Sequence, residues 1–237
     1  MNEIIQGLWI GTALSVMERL SVSSFLKNGH EYHLYVYDDL KHVPEKTVIK
    51  DANEILPASM IFEYKHSKSY AGFANFFRYK LLLERGGWWV DTDVVCLKPF
   101  DFQDEYVFAS EKIDDNQFVN NGIIKAPAAS EIMSYCEQVC AAKDNDNLAW
   151  GETGPRLLTQ AVRRFSLGSY VTGHQVFCPF GYLEWQKALD AANGFAFDQS
   201  TYAVHLWNEM WRRDDKDKDA FYDPYCLYEQ LKRKYLN

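Results

Sequence analysis

Short apolar runs separated by turn residues open the chain. Residues 4–10 are mostly apolar and are followed by Gly11, which predicts a buried first strand ending in a turn. Thr12 stands where it would cap a helix running toward Leu26, with Asn28 and Gly29 closing it. HLYVYDD, residues 33–39, is rich in β-branched and aromatic positions and predicts a second strand. The pattern then predicts a short helix over 51–56, a strand over 60–64, a longer helix over 70–84 stopped by Gly86 and Gly87, and a strand over 88–91. Alternation of this kind indicates an α/β sheet, on which ligands collect at the carboxyl ends of strands. Trp9 and Asp91 both stand at such ends.

The second half is less regular. Helices are predicted over 130–142 and 154–165, a solvated linker over RRDDKDKD at 212–219, and a final helix over 224–235. No repeat divides the 237 residues, and 47% apolar content suffices for one core, so the expectation is a single domain over 1–237.

Charge changes the picture. A formal net charge of -8 argues against a nucleic-acid partner, which requires a basic surface. It also means that a diphosphate ligand would need local cations, either arginine and lysine side chains or a divalent metal. Five cysteines, Cys96, Cys136, Cys140, Cys178 and Cys226, show no CxxC spacing and read as reduced thiols, with Cys136 and Cys140 packed in a core. No apolar run reaches membrane-spanning length, and Glu3 stands where a secretory signal would be basic, so the expected location is cytoplasmic. The basic run Lys232 to Lys234 leaves room for weak peripheral attachment to anionic lipid at the inner face of the cell membrane.

Asp91 and Asp93 are the residues that carry chemistry. In extended backbone their carboxylates project to one side with Cα atoms about 7 Å apart. Two hard oxygen donors there suit Mg2+ or Mn2+. The spacing alone proves nothing, because Asp-x-Asp recurs at Asp144, Asp215 and Asp217. Only Asp91 and Asp93 follow a glycine pair and an apolar strand, where unpartnered acids would cost several kcal/mol. On the preceding helix, Arg78 shares a face with Asn75, while Phe73, Phe77 and Leu81 form an apolar stripe toward the sheet. Arg78 could bind phosphate or sugar hydroxyls, or simply pair with a strand-end carboxylate.

Five ordered blocks then carry a resemblance: IIQGLWIG at 4–11, ANFFRYKLLLERGGWWVDTDV at 74–94, NNG at 120–122, TGP at 153–155 and HLWNEMW at 205–211. The chain resembles glycosyltransferases with a DXD-bearing sugar-binding region, the family numbered thirty-two, which includes bacterial capsule and lipopolysaccharide enzymes and is distantly similar to the clostridial glucosylating toxins. The resemblance implies a GT-A fold with a mixed central sheet flanked by helices, the nucleotide-sugar half over 1–110 and the acceptor half over 111–237. It implies retaining transfer of a hexose or N-acetylhexosamine from a nucleotide-diphosphate sugar, a UDP-sugar first among them, to a glycan or lipid-linked glycan in bacterial surface-polysaccharide assembly.

By the same resemblance Trp9, with Ile10 beside it, stacks on the base. Arg78 reaches the sugar or diphosphate, Asp91 contacts ribose and sugar, and Asp93 binds Mn2+ or Mg2+ with His205 completing the site. Asn75, Asn120, Asn121, Gly122, Glu152 and Trp211 complete the expected donor contacts, with catalysis assigned to Asp91, Asp93 and Arg78. Asn120 to Gly122 reads as a loop near the sugar, or as a tight turn. Family members usually carry Ser-Asp where this chain has Ala74 and Asn75, and Trp89 is bulky for its position, so donor choice is where this chain departs. Two alternatives stay open: a nucleotide-sugar-binding protein of weak activity, and a metal-dependent nucleotide-sugar hydrolase.

Overall fold

A computed structural model describes residues 3–192 and 195–236. Its centre is a mixed sheet of six strands in the order β3-β2-β1-β4-β7-β6. Strands β1 (Ile5–Trp9), β2 (Tyr32–Val36), β3 (Val48–Asp51) and β4 (Gly87–Val90) are mutually parallel. The hairpin of β6 (Val107–Ile113) and β7 (Asn116–Ala126) adds to β4 in antiparallel sense. A two-stranded ribbon pairs β5 (Val94–Cys96) with β8 (Ala203–His205).

Helices cover both faces. Trp88 and Trp89, adjacent on β4, alternate across the sheet and each seats in a different core. Trp88 joins α1 (Val16–Lys27) and α6 (Leu227–Tyr235), whereas Trp89 joins α2 (Ala71–Arg85), α3 (Glu131–Ala141) and α4 (Leu157–Arg164). Truncating a ring so buried costs about 3–5 kcal/mol. β4 is thus held from both sides, and the backbone that follows it is fixed.

Several boundaries differ from the sequence reading. Ser15, not Thr12, caps α1, because Glu18 three residues on accepts the Ser15 N–H at 2.9 Å. The Thr12 carbonyl instead accepts the Lys41 N–H at 2.9 Å. Residues 60–64 form no strand, since Met60 ends a short turn, and β3 takes the sheet edge instead. The expected helix over 51–56 is the single 3-10 turn Ala52–Glu54. Asn120, Asn121 and Gly122 are neither loop nor turn: they lie inside β7 beside the end of β4. The expected division at residue 110 falls within β6, because the hairpin belongs to the same sheet.

The RRDDKDKD stretch is not a free linker. Its first two residues end α5 (Asn208–Arg213), the Lys218 ammonium meets the fully buried Glu18 carboxylate at 2.5 Å, and Asp219 accepts the Val16 N–H at 2.6 Å. In the C-terminal basic run Lys232 is turned inward onto the Ala220 carbonyl at 3.0 Å, leaving only Arg233 and Lys234 exposed. The five thiols are all buried and unpaired. No helix among the described residues is long and apolar enough to cross a membrane.

His30 ties the chain start to the segment after β5. Its Nδ1 lies 3.0 Å from the Glu3 carbonyl and its Nε2 accepts the Phe100 N–H at 2.9 Å, an arrangement that requires the neutral ring. Burial pushes its pKa below the ordinary 6.5, against the opposing effect of Glu3. The unfolded chain therefore takes up this proton first, and stability falls as pH drops through 6.5 toward the folded value. Melting temperatures between about pH 7 and about pH 5 are expected to fall more steeply for the wild type than for His30→Gln, and equal slopes would refute this role.

Candidate active site

β4 ends at Val90, and the chain turns out of the sheet through Asp91, Thr92 and Asp93 before β5 begins. The turn is pinned at each step. The Asp91 N–H donates to the Gly122 carbonyl at 2.8 Å, Val94 N–H to the Asp91 carbonyl at 3.1 Å, and Leu206 N–H to the Asp93 carbonyl at 2.9 Å. Register within the ribbon sets Val94 opposite His205, so a histidine more than a hundred residues downstream arrives beside Asp93.

Each carboxylate has its own partners. Asp91 Oδ1 accepts from Trp89 Nε1 at 2.8 Å and lies 3.1 Å from Arg78 Nη2. Arg78 is buried, donates further to the Asn121 and Ala74 carbonyls, and stacks over the Trp89 ring at 4.9 Å. Asp93 Oδ1 lies 3.2 Å from His205 Nε2, and its Oδ2 accepts the Asn208 N–H at 2.8 Å. The His205 ring stacks on Trp207 with centroids 3.9 Å apart, and its Nδ1 is buried against the Cys178 thiol without a well-formed hydrogen bond.

These neighbours separate the two acids. Burial raises the Asp91 pKa, a shift that Arg78 opposes and the nearby Asp93 charge reinforces, and the net direction is upward. Burial acts the same way on Asp93, but the His205 charge and the donated hydrogen bonds outweigh it, and the net direction is downward. His205, despite burial that disfavours its cation, is held well above its ordinary value by Asp93.

Asp91, Asp93 and His205 offer ligand atoms that all lie within 4.8 Å of one another. Two further observations test their fit to a cation. A Cβ at residue 122 would stand 2.9 Å from His205 Cε1 and 3.1 Å from Asp91 Oδ2, so glycine keeps open the space the three groups face. Two carboxylates and an imidazole form the mixed oxygen and nitrogen set that Mn2+ accepts well and Mg2+ accepts through its oxygens. The residues fit.

They form the floor of a cavity of about 1050 Å³, large enough for a nucleotide sugar. Trp9, Ile10, Asn75, Asn120, Asn121 and Gly122 also line it. Trp9 is anchored by Nε1 donating to the Ala13 carbonyl at 3.1 Å, with Lys218 over its ring at 5.3 Å. Asn75 joins Asn121 at 2.8 Å and Thr153 at 3.4 Å, linking α2, β7 and the TGP turn.

Two expected residues lie elsewhere. Trp211 is fully buried against Trp185 and Tyr228, and Trp207 lines the cavity in its place. A left-handed backbone at Trp207 (φ 60°, ψ 51°) turns the chain so that the first tryptophan faces the site and the second faces the core. Glu152 is outside the cavity wall, engaged by Lys143 at 2.6 Å and the Ala149 N–H at 3.1 Å, partners that hold its pKa low.

Sequence reasoning missed Glu111 and Asn208. Glu111, in the otherwise apolar start of β6, is buried in the wall, receives Asn120 Nδ2 at 3.2 Å, and is raised in pKa by burial. An acid inside the run VFASEKI was the available signal. Asn208 acts through its backbone, which side-chain identity does not reveal.

Comparison with known proteins agrees with this geometry. Residues 15–117 match the family described as glycosyltransferase sugar-binding region containing DXD motif, and residues 127–235 match the alpha 1,4-glycosyltransferase conserved region. The human alpha-1,4-N-acetylglucosaminyltransferase is 23% identical over 98% of this chain and 67% of its own length. Among solved structures, the PaToxG glycosyltransferase superposes with a TM-score of 0.50 at 18% identity, covering 70% of each chain, which identifies the fold as GT-A-like. Each half of the chain, the one bearing the DXD sequence and the one that supplies His205, is therefore similar to a glycosyltransferase family, and the chain as a whole aligns with a glycosyltransferase.

Proposed function

We propose that the chain is a metal-dependent retaining glycosyltransferase that moves a hexose or N-acetylhexosamine from a UDP-sugar to a glycan hydroxyl, forming an α-1,4 linkage. The observation that carries this reading is the convergence of Asp91, Asp93 and His205, from the two halves of the sequence, on one cavity floor. Linkage type is supported by the family match of the second half and by the human relative. Hexoses of common UDP-sugars are α-linked to phosphate, so an α product corresponds to retention. The proposed setting in bacterial surface-polysaccharide assembly rests on the sequence blocks, while the human relative supports only the transferase reading.

Asp93, Asp91 and His205 would hold Mn2+ or Mg2+, which when bound supplies charge neutralisation for the diphosphate and the departing nucleotide. The chain's own residues do the positioning. Trp9 offers a flat face for the base at the end of β1. Arg78, locked by three oxygens and a tryptophan ring, keeps Asp91 oriented toward the cavity while its remaining donors face donor hydroxyls or phosphate. The acceptor hydroxyl attacks on the face from which the nucleotide leaves, passing its proton to the departing phosphate oxygen. No protein nucleophile is needed. Among the described residues Glu111 is the one further carboxylate near the floor, and burial, by favouring its neutral form, makes it a poor nucleophile.

Asp93→Ala is expected to abolish the Mn2+-dependent thermal shift produced by UDP and to lower kcat/KM at least about 100-fold. An unchanged shift would contradict the metal assignment. An NMR time course is expected to show the α-glycoside as the first-formed product, and a β-glycoside appearing first would exclude retention.

A further inference from the structure

Charge is sorted within the cavity. The whole chain carries 33 acidic against 25 basic residues, yet its wall is predominantly basic. Three of the four wall carboxylates, Asp91, Asp93 and Glu111, stand at the floor, and the fourth, Glu209, is taken up by Arg212 at 2.8 Å and Arg213 at 2.9 Å. At the mouth, Arg156 and Arg163 are exposed, and neither side chain forms an ion pair or hydrogen bond with any described residue. A solitary exposed arginine is ordinarily a solvated surface group. These two stand seven residues apart, two turns along α4 and its first flank, so they share a stripe with Thr159 and Gln160, and all four line the cavity.

Sheet order gives that stripe a side. β4, which delivers the aspartates, lies between β1 and β7. Trp9 ends β1, whereas α4 packs on β7. The cavity thus has a Trp9 half and an α4 half, with the floor between them. The α4 half also exposes the ring of Phe118, 42% accessible, whereas the Trp150 ring, elsewhere on the cavity wall, is met by Tyr64 at 4.9 Å and by the Arg213 guanidinium at 4.7 Å. A second hollow of about 310 Å³ shares Phe118, Thr159 and Arg163 with the main cavity and extends it away from the floor.

Aromatic faces bind the apolar faces of sugar rings, and guanidinium forks bind carboxylate and phosphate in bidentate fashion. We infer that the α4 half of the cavity is an acceptor subsite for an anionic glycan, whose phosphate or carboxylate is bound by Arg156 and Arg163 while Phe118 receives a sugar ring. This assignment rests on the proposed transferase reading, which gives the Trp9 half to the donor. Acidic surroundings elsewhere make the rim the place where a negatively charged acceptor is drawn in and others are not favoured.

The test needs no turnover. Glucose 6-phosphate, glucuronic acid and glucose are each titrated into protein saturated with Mn2+ and UDP, followed by tryptophan fluorescence and calorimetry, and UDP affinity is measured in parallel. Both acidic sugars, or the one matching the natural acceptor's anion, are expected to bind at least about tenfold more tightly than glucose, and raising salt from about 50 mM to about 500 mM is expected to erode that preference. The double variant Arg156→Gln, Arg163→Gln is expected to remove the preference, with its melting temperature reporting that these exposed positions leave the fold intact. Equal binding of glucose and the acidic sugars overturns the inference. So does a matching loss of UDP affinity in the variant, which would give the arginines to the donor diphosphate. If UDP itself fails to bind, the donor reading falls, and the same titration without UDP still decides whether the α4 half takes an acidic sugar.

Discussion

Two carboxylates at the end of a strand buried on both faces constrain everything around them. Asp91 and Asp93 emerge where β4 leaves the sheet, with Trp88 and Trp89 filling the cores on either side. Water does not fully solvate acids there, so the protein must supply the compensation. It does so from four elements: Arg78 from α2, His205 from β8, the Asn208 N–H from the start of α5, and the indole of Trp89 from β4 itself. Removing any of these leaves a charge or a donor buried without its partner. The unequal distribution of partners also separates the acids, with Asp93 held ionised by the histidine and Asp91 held in place by the arginine.

Much of this was legible in the sequence where a local pattern fixes a local structure. The apolar stripe of Phe73, Phe77 and Leu81 seats α2 on the sheet, and the same helix turns Asn75 and Arg78 inward toward the floor. The glycines after α2 and the apolar run Trp88 to Val90 marked β4 for the same reason. What escaped depended on contacts distant in sequence. Asn120 to Gly122 has turn chemistry, but the Asp91 N–H on the Gly122 carbonyl and the hydrogen bond from Asn120 to Glu111 hold it within β7. Trp207 and Trp211 are alike in sequence, and a left-handed backbone residue decides which faces the cavity. The charged run after Arg212 looked solvated, and yet Lys218 neutralises a buried glutamate on α1. Composition does not report such pairings.

Sorted charge reconciles the acidity of the chain with the ligands proposed for it. Carboxylates are confined to a floor where a cation fits, and arginines gather at the rim of the α4 half. A donor entering beside Trp9 and an acceptor entering beside α4 would meet over Asp91 and Asp93, with Gly122 providing the clearance between them. A hydrogen-bond network running from Asn121 through Asn75 to Thr153 holds both walls against the floor. On the proposed reading, position rather than the number of charges gives the site its selectivity.

The proposed function requires one divalent cation, held by Asp93, Asp91 and His205, to join the protein to a nucleotide diphosphate. Pulsed electron paramagnetic resonance of the Mn2+-loaded protein with UDP tests it directly. A nitrogen coupling that disappears in His205→Ala, together with a phosphorus coupling from UDP, is the predicted result. Phosphorus coupling without any protein nitrogen, unchanged by substitution of His205, would contradict it.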